Sequence, residues 1–167
     1  MGRYRAPRPR GTPLITAAGE ARLRAELDKL WRKERPIVAL AVQDAAKNGD
    51  RSENGDYIYG KKRLREIDGR VRFISKRLEI LQIVRETPSD KSRIFFGATV
   101  KVEDQNEVTQ SVTILGPDEF ESSRSEVSID SPIARVLLGK TIGDSVRLDS
   151  PGGERELEVL DIQYQHT

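Results

Sequence analysis

Two acidic residues, Asp50 and Glu53, lie three positions apart in a predicted turn that reads Asn48-Gly49-Asp50-Arg51-Ser52-Glu53-Asn54. Carboxylate oxygens suit a hard cation such as Mg²⁺, which keeps several waters and needs only one or two carboxylates when a partner supplies the remaining ligands. Two acids at an exposed turn bind a metal weakly by themselves. We therefore interpret the pair as part of a composite metal site that another molecule completes.

The same spacing also fits the start of a helix. In a capping box, Asp50 would accept a hydrogen bond from a backbone N–H of the first turn, and Glu53 would reach back to the cap residue. Both acids would also be stabilised by the positive end of the helix dipole. Spacing alone favours this interpretation, and the two roles are compatible because one carboxylate oxygen can cap while the other faces outward.

A strongly basic stretch follows the turn. Between Lys61 and Glu79 there are eight cationic residues and three acidic ones. This excess fits either the solvated outer face of a helix or a stripe that faces the phosphates of a nucleic acid. Nearest to the turn lie Lys61, Lys62, Arg63 and Arg65.

Two long helical patterns flank the turn and must position it. The first begins at Thr16, a plausible N-cap, is interrupted by Pro36 and stops at Lys47-Asn48-Gly49. The second repeats at spacings of three and four, through Tyr57, Gly60, Leu64, Ile67, Val71, Ile74, Leu78 and Leu81. Such a seam is roughly 36 Å long at ~1.5 Å per residue. We predict an antiparallel two-helix coiled coil over residues 14–86, with the acidic turn at its far end.

The sequence period changes from 3.5 to 2 after Thr87-Pro88-Ser89, which indicates strands. Between the strands, Ser131 and Pro132 predict a short capped helix that ends at Gly139. Residues 93–165 are therefore predicted to form a small antiparallel-sheet domain with one short helix, which makes the whole chain α+β. Residues 1–13, rich in arginine and proline and without an acid, are predicted to be a disordered basic leader.

Composition excludes several classes of function. The chain has 167 residues, of which 36% are hydrophobic and 34% charged, and no apolar run approaches the ~20 residues of a membrane span. It contains no cysteine, which excludes disulfides and thiolate metal sites and favours a cytoplasmic protein. Its single histidine, His166, is next to the C-terminus, so histidine-based catalysis and zinc binding are not expected.

The turn and the residues after it carry a family resemblance. Gly49 to Tyr57, followed by Lys61 to Asp68, closely resembles the Gre transcript cleavage factors, and the basic run resembles the GreB branch of that family. The likeness extends over nearly the whole chain after the leader, including 15–30, Arg35-Pro36, 95–98 and 128–138.

The resemblance implies a factor that is not itself an enzyme. It would bind bacterial RNA polymerase as a monomer and insert its coiled coil through the secondary channel, stimulating cleavage of backtracked nascent RNA. Asp50 and Glu53 would help to hold a Mg²⁺ shared with the polymerase, Ser52 would assist, and the chain would have no cofactor of its own. The resemblance implies RNA 3′-end contacts by Lys61, Lys62, Arg63 and Arg65. An FK506-binding-protein-like C-terminal domain would dock on the β′ subunit through Ile129, Asp130, Ser131 and Pro132.

Three glycines, Gly55, Gly60 and Gly69, replace good helix formers and put the stiffness of the second helix in question. Two other functions remain open on sequence grounds. One is a regulator that enters the polymerase channel without promoting cleavage. The other is a prolyl isomerase with a coiled-coil dimerisation arm, although 5% aromatic content argues against an aromatic proline pocket.

Overall fold

The computed structural model describes residues 11–49 and 53–165, and it has the predicted α+β composition. Predictions that concern most of the leader, Asp50, Ser52 and His166 fall outside these ranges. The described chain forms two compact units. We call residues 18–81 the arm, and residues 11–17 together with 82–165 the sheet unit.

The arm consists of helices on both sides of the acidic turn. Helix α1 (Ala17–Asp28) continues through a π-helix (Lys29–Glu34) into α2 (Arg35–Ala46), and α3 (Gly55–Ile80) returns after the turn. The π-helix immediately precedes the residues around Pro36. Because proline has no N–H to donate to the preceding turn, the regular α ladder cannot pass through this point unchanged.

Apolar residues of the predicted seam join the two sides of the arm. Ile67 and Ile74 of α3 are completely buried, and Leu23, Leu30 and Val42 are buried on the other side. Successive contacts pair Glu26 with Arg70, Glu34 with Arg63 and Val42 with Gly60, so residue numbers rise on one side as they fall on the other. The two sides therefore run antiparallel.

The sheet unit contains a five-stranded sheet in the order β5-β4-β3-β7-β6. Its strands are β3 (Ala98–Asp104), β4 (Thr109–Leu115), β5 (Glu126–Ser128), β6 (Ser145–Ser150) and β7 (Gly153–Tyr164), and α4 (Pro132–Leu137) packs near β6. Completely buried residues from the strands and α4, including Val100, Ile114, Leu137 and Leu157, form its core.

The prediction of a purely antiparallel sheet is wrong at one edge, where β5 pairs with β4 in parallel. A parallel pair requires a connection that carries the chain back to the starting end of the strand. Residues 116–125, which include a short 3₁₀ turn at Ser122–Arg124, provide that connection. The alternating pattern along a strand is the same for both directions of pairing, so it could not reveal this.

A second, two-stranded sheet is formed by the segments that precede and follow the arm in sequence. Strand β1 (Leu14–Thr16) pairs in parallel with β2 (Gln82–Val84). Residues 14–17, which the sequence pattern assigned to the hairpin, therefore belong to the sheet unit. Thr16, predicted as a helix cap, does directly precede α1, but its hydroxyl donates to Glu119 at 2.5 Å.

Buried Glu119 attaches β1 to the larger sheet. Its carboxylate accepts from the Thr16 backbone N–H at 2.8 Å and from the Gly116 N–H at 3.3 Å, in addition to the Thr16 hydroxyl. A Cβ at Gly116 would lie 2.0 Å from the Leu14 carbonyl oxygen. Position 116 thus requires glycine because the β1 backbone passes directly against it.

Candidate functional site

The described parts of the turn show how each helix ends. Helix α2 stops at Ala46 and the chain passes Gly49 with a φ of +111°, a conformation that favours glycine. The predicted helix stop at Lys47-Asn48-Gly49 is therefore confirmed. On the other side, Glu53 lies just outside α3, which begins at Gly55.

Asn54 is the N-cap of α3. Its side-chain oxygen accepts from the Tyr57 backbone N–H at 3.2 Å, and its backbone is extended as expected of a cap residue. The capping-box interpretation placed Glu53 inside the first helical turn and is therefore wrong for this residue. Glu53 is not needed in a capping box because Asn54 is itself a strong cap and already accepts from the N–H group of Tyr57.

The Asn54 side chain has a second partner across the turn. Its amide nitrogen, Nδ2, donates to the Ala45 carbonyl oxygen at 2.7 Å, and Ala45 belongs to the last turn of α2. Sequence reasoning missed this residue because Asp50 was an equally good cap by type. The signal in the sequence was that Asn54, a residue type favoured at the N-cap, lies three positions before Tyr57, the first residue of the seam.

Glu53 is left exposed, and it lines a shallow open depression of about 300 Å³ together with Ala45, Asn48, Asn54 and Asp56. Within residues 11–49 and 53–165, no group of three or more acids or histidines could hold a metal. The donors that are described, carboxylate and amide oxygens, suit Mg²⁺ but are too few to enclose it. A Mg²⁺ ion bound at this depression would therefore need ligands beyond these described residues.

The four cations predicted to contact RNA have different surroundings. Lys61, Lys62 and Arg65 are exposed, and the Lys61 ammonium lies 5.8 Å from the centre of the Tyr57 ring. Arg63 instead is half-buried and pairs with Glu34 across the arm, its Nε donating at 2.7 Å, and with Glu66 at 3.3 Å. These hydrogen bonds raise the pKa of Arg63 above its ordinary value. Its guanidinium therefore already has anionic partners inside the arm.

The predicted docking segment, residues 129–132, is engaged inside the sheet unit. Asp130 accepts from the Thr12 backbone N–H at 2.8 Å and also from the Thr12 hydroxyl. The Ser131 hydroxyl accepts from the Ala134 N–H at 3.3 Å and caps α4, as predicted. Pro132 is exposed, whereas Ile129, Asp130 and Ser131 are half-buried and Ile129 packs against the core of the sheet unit.

No helix in the described part of the chain combines the length and the apolar character that crossing a membrane requires.

Two family models match the sequence. The model described as "Transcription elongation factor, N-terminal" matches residues 13–83, and that described as "Transcription elongation factor, GreA/GreB, C-term" matches residues 89–164. The first therefore includes the whole arm, and the second includes the five-stranded sheet.

Curated relatives match over nearly their full length. Transcription elongation factor GreB of Pseudomonas aeruginosa is 54% identical over 164 residues, which cover 98% of both chains. Transcription elongation factor GreB of Yersinia pestis is 52% identical over 151 residues, covering 90% of this chain and 88% of its own. Among solved structures, GreA factor homolog 1 (Gfh1) of Thermus thermophilus is 26% identical, covers 90% of this chain and 97% of its own, and has a TM-score of 0.41.

Proposed function

The chain belongs to the GreA/GreB family of transcription elongation factors, and we propose that it acts on bacterial RNA polymerase in the cytoplasm to stimulate cleavage of backtracked nascent RNA. In this proposal the arm is an antiparallel coiled coil that enters the secondary channel of the polymerase. The protein acts as a monomer. The observation that carries the proposal is the exposed carboxylate of Glu53, which takes no part in capping α3.

At the turn, Asp50 and Glu53 hold a Mg²⁺ together with groups of the polymerase, and Ser52 assists their orientation. When bound there, the metal supplies an activated water for phosphodiester hydrolysis. The chain contributes carboxylate oxygens without the remaining ligands, which is why it acts as an accessory factor and not as an enzyme by itself. Asn54 relieves Glu53 of the capping role, and both carboxylate oxygens of Glu53 are therefore available.

The exposed cations behind the turn attract the extruded RNA 3′ end. Lys61, Lys62 and Arg65 are suited to this because they are open to solvent on the same helix that follows the acidic turn. Arg63 contributes mainly by joining α3 to Glu34 on the opposite side of the arm. Positive charge near the turn raises the local concentration of RNA phosphates, and its effect weakens with added salt.

The sheet unit, FK506-binding-protein-like in this proposal, docks on the polymerase β′ subunit. The contact is made by the segment Ile129–Pro132, in which Pro132 is the exposed residue, while Asp130 and Ser131 hold the segment in shape through Thr12 and Ala134. Because the sheet unit docks and the arm assists cleavage, we expect that substitutions can abolish cleavage without abolishing binding.

The test replaces both Asp50 and Glu53 with alanine and measures cleavage of the 3′ RNA segment in a backtracked polymerase complex. We expect the cleavage rate to fall roughly 100-fold or more, because even residues that only support a metal ligand cost about 10–100-fold when lost, with binding to polymerase retained. The matched control replaces Asp28 and Glu79, two exposed acids remote in sequence from the turn, and should cleave like the wild type.

Unchanged cleavage by the doubly substituted protein, with binding intact, would overturn the metal-holding role. Wild-type protein that binds polymerase and only inhibits RNA synthesis would instead establish the non-cleaving regulator.

A further inference from the structure

One backbone oxygen receives hydrogen bonds from both sides of the acidic turn. The Ala45 carbonyl oxygen accepts from the Asn48 backbone N–H at 3.1 Å and from Asn54 Nδ2 at 2.7 Å. A carbonyl oxygen has two lone pairs and can accept both. The residues that enter the turn and those that leave it are therefore tied to the same atom of α2.

Asn54 also fixes the first turn of α3. Its Oδ1 accepts from the Tyr57 N–H, and its own carbonyl accepts from the Ile58 N–H at 3.0 Å. The residue thus joins the end of α2 to the beginning of α3 with the two ends of a single amide group. Glu53 is the adjacent residue and is therefore linked to both helices through Asn54.

We propose that Asn54 is a positioning residue, which sets the placement of the Glu53 carboxylate by bridging α2 and α3. This inference rests on the proposed function of the turn in RNA cleavage. It assigns separate tasks to the two ends of the amide: the oxygen caps α3, and the nitrogen holds the turn against α2. Only the second task is specific to asparagine, since serine and aspartate cap a helix about as well.

Asn54→Ser separates the two tasks. The serine hydroxyl retains an acceptor for the Tyr57 N–H, but it is too short to supply a donor to the Ala45 carbonyl. We expect the Mg²⁺ concentration for half-maximal RNA cleavage to rise about fivefold, the effect of losing one hydrogen bond of ordinary strength. The factor concentration needed to saturate polymerase should be unchanged, because the sheet unit is untouched.

Asn54→Asp supplies a second variant with a different electrostatic effect. It keeps the cap acceptor but places a carboxylate oxygen against the Ala45 carbonyl. If only local charge mattered, the added negative charge would lower the Mg²⁺ requirement. We expect the requirement to rise instead, because the bridge between α2 and α3 is lost.

A double-substitution cycle tests whether Asn54 acts through Glu53. In a Glu53→Ala background, Asn54→Ser should change the cleavage rate less than about twofold, since there is no carboxylate left to position. Amide hydrogen exchange gives a measurement that does not depend on cleavage. In Asn54→Ser the Tyr57 N–H should remain protected, while exchange of the Asn48 N–H should accelerate.

The outcomes distinguish this inference from its premise. Wild-type protein that does not stimulate cleavage overturns the proposed function and the role of Asn54 with it. An active wild type with an unchanged Mg²⁺ requirement in Asn54→Ser overturns the role of Asn54 alone. That role is equally overturned if Tyr57 loses protection and cleavage falls equally at every Mg²⁺ concentration, because the residue is then only a helix cap.

Discussion

Three consecutive basic residues of α3 have different roles. Lys61 and Lys62 are exposed, whereas Arg63, the next residue, donates to Glu34 and Glu66. Sequence alone groups all three as one basic run. The distinction arises because Arg63 reaches a partner on another element of the arm, and that partner decides how the charge is used.

We expect Lys61→Ala with Lys62→Ala to weaken RNA-dependent binding while leaving thermal stability unchanged. Each phosphate contact with a single strand adds about 0.7 to the slope of log affinity against log salt concentration, so the slope should fall by about 1.4. Affinity for backtracked complexes measured at several salt concentrations tests this.

Arg63→Ala provides the contrast and should lower the melting temperature, because Glu34 then loses its partner across the arm. If Arg63→Ala changes only the salt slope and Lys61→Ala with Lys62→Ala changes only the melting temperature, the division of tasks is wrong.

Two carboxylates of the arm should make its stability depend on acid. Hydrogen bonds from Arg35 lower the pKa of Asp68, and those from Arg70 lower the pKa of Glu26. A group whose pKa is lower in the folded than in the unfolded protein stabilises the fold above its unfolded pKa, about 4 for these residues. That stabilisation is lost as the pH falls through the folded pKa.

We therefore expect the melting temperature to fall as the pH drops below about 4, and to fall less steeply in Asp68→Asn. Circular dichroism of the helices during heating at each pH measures this. Glu79→Gln removes an exposed acid from the same helix and serves as the matched control. An equal pH dependence in wild type and Asp68→Asn would contradict the assigned role of the Arg35–Asp68 pair.

At the scale of elements, two glycines of α3 illustrate how packing decides the effect of a residue. A Cβ at Gly60 would lie 2.5 Å from the Val42 Cγ2, whereas a Cβ at Gly69 would have no atom within 4 Å. Gly60 thus permits close approach of α2 and α3. At Gly69, as at Gly55 at the start of α3, no close contact compensates for the predicted loss of helix stiffness.

We expect Gly69→Ala to stabilise the protein by about 1 kcal/mol through helix propensity. Gly60→Ala should destabilise it by up to about 2 kcal/mol, because the overpacking cost of ~1–3 kcal/mol outweighs a propensity gain of ~1 kcal/mol. Urea unfolding followed by helix circular dichroism compares the two. Stabilisation by both substitutions would mean that Val42 moves aside easily and that Gly60 is not needed for the approach.

The helices and strands were predictable because the apolar residues that their spacing places on one face are the ones that are buried. Ile67 and Ile74, chosen from the seam pattern, are completely buried, and the alternating strands and the Ser131 cap were also predicted. The cap of α3 was not, because Asp50 and Asn54 are both suitable cap residues by type and lie only four positions apart. The cap is identified by the hydrogen bond that the Asn54 side chain accepts from the Tyr57 N–H.

At the scale of the whole molecule, the part that sequence could not reveal is the β1–β2 pair. Each strand has only three residues, too short for a period of two to be recognised. Their pairing depends on Glu119, more than a hundred positions from Thr16, and on the absence of a side chain at Gly116. Such long-range polar contacts leave no local pattern.

Glu119→Gln should loosen β1, because the amide retains only one acceptor oxygen for the donors at Thr16 and Gly116. Loss of hydrogen bonds to a buried charged group costs about 1–3 kcal/mol. We expect faster amide exchange at Thr16 and a lower urea midpoint. The exposed neighbour gives a control, Glu121→Gln, which should do neither. Unaltered exchange at Thr16 would show that strand pairing alone holds β1.

The parallel direction of β1 and β2 has a consequence for the order of folding. Strands in this direction need a crossover, and here residues 17–81, which include the entire arm, form that crossover. Closing a flexible loop costs entropy that rises with the logarithm of its length. The helical hairpin shortens the loop by holding its own two ends near one another. A folded arm therefore lowers the entropic cost of pairing β1 with β2, and we expect that pairing to be favoured once the arm has formed.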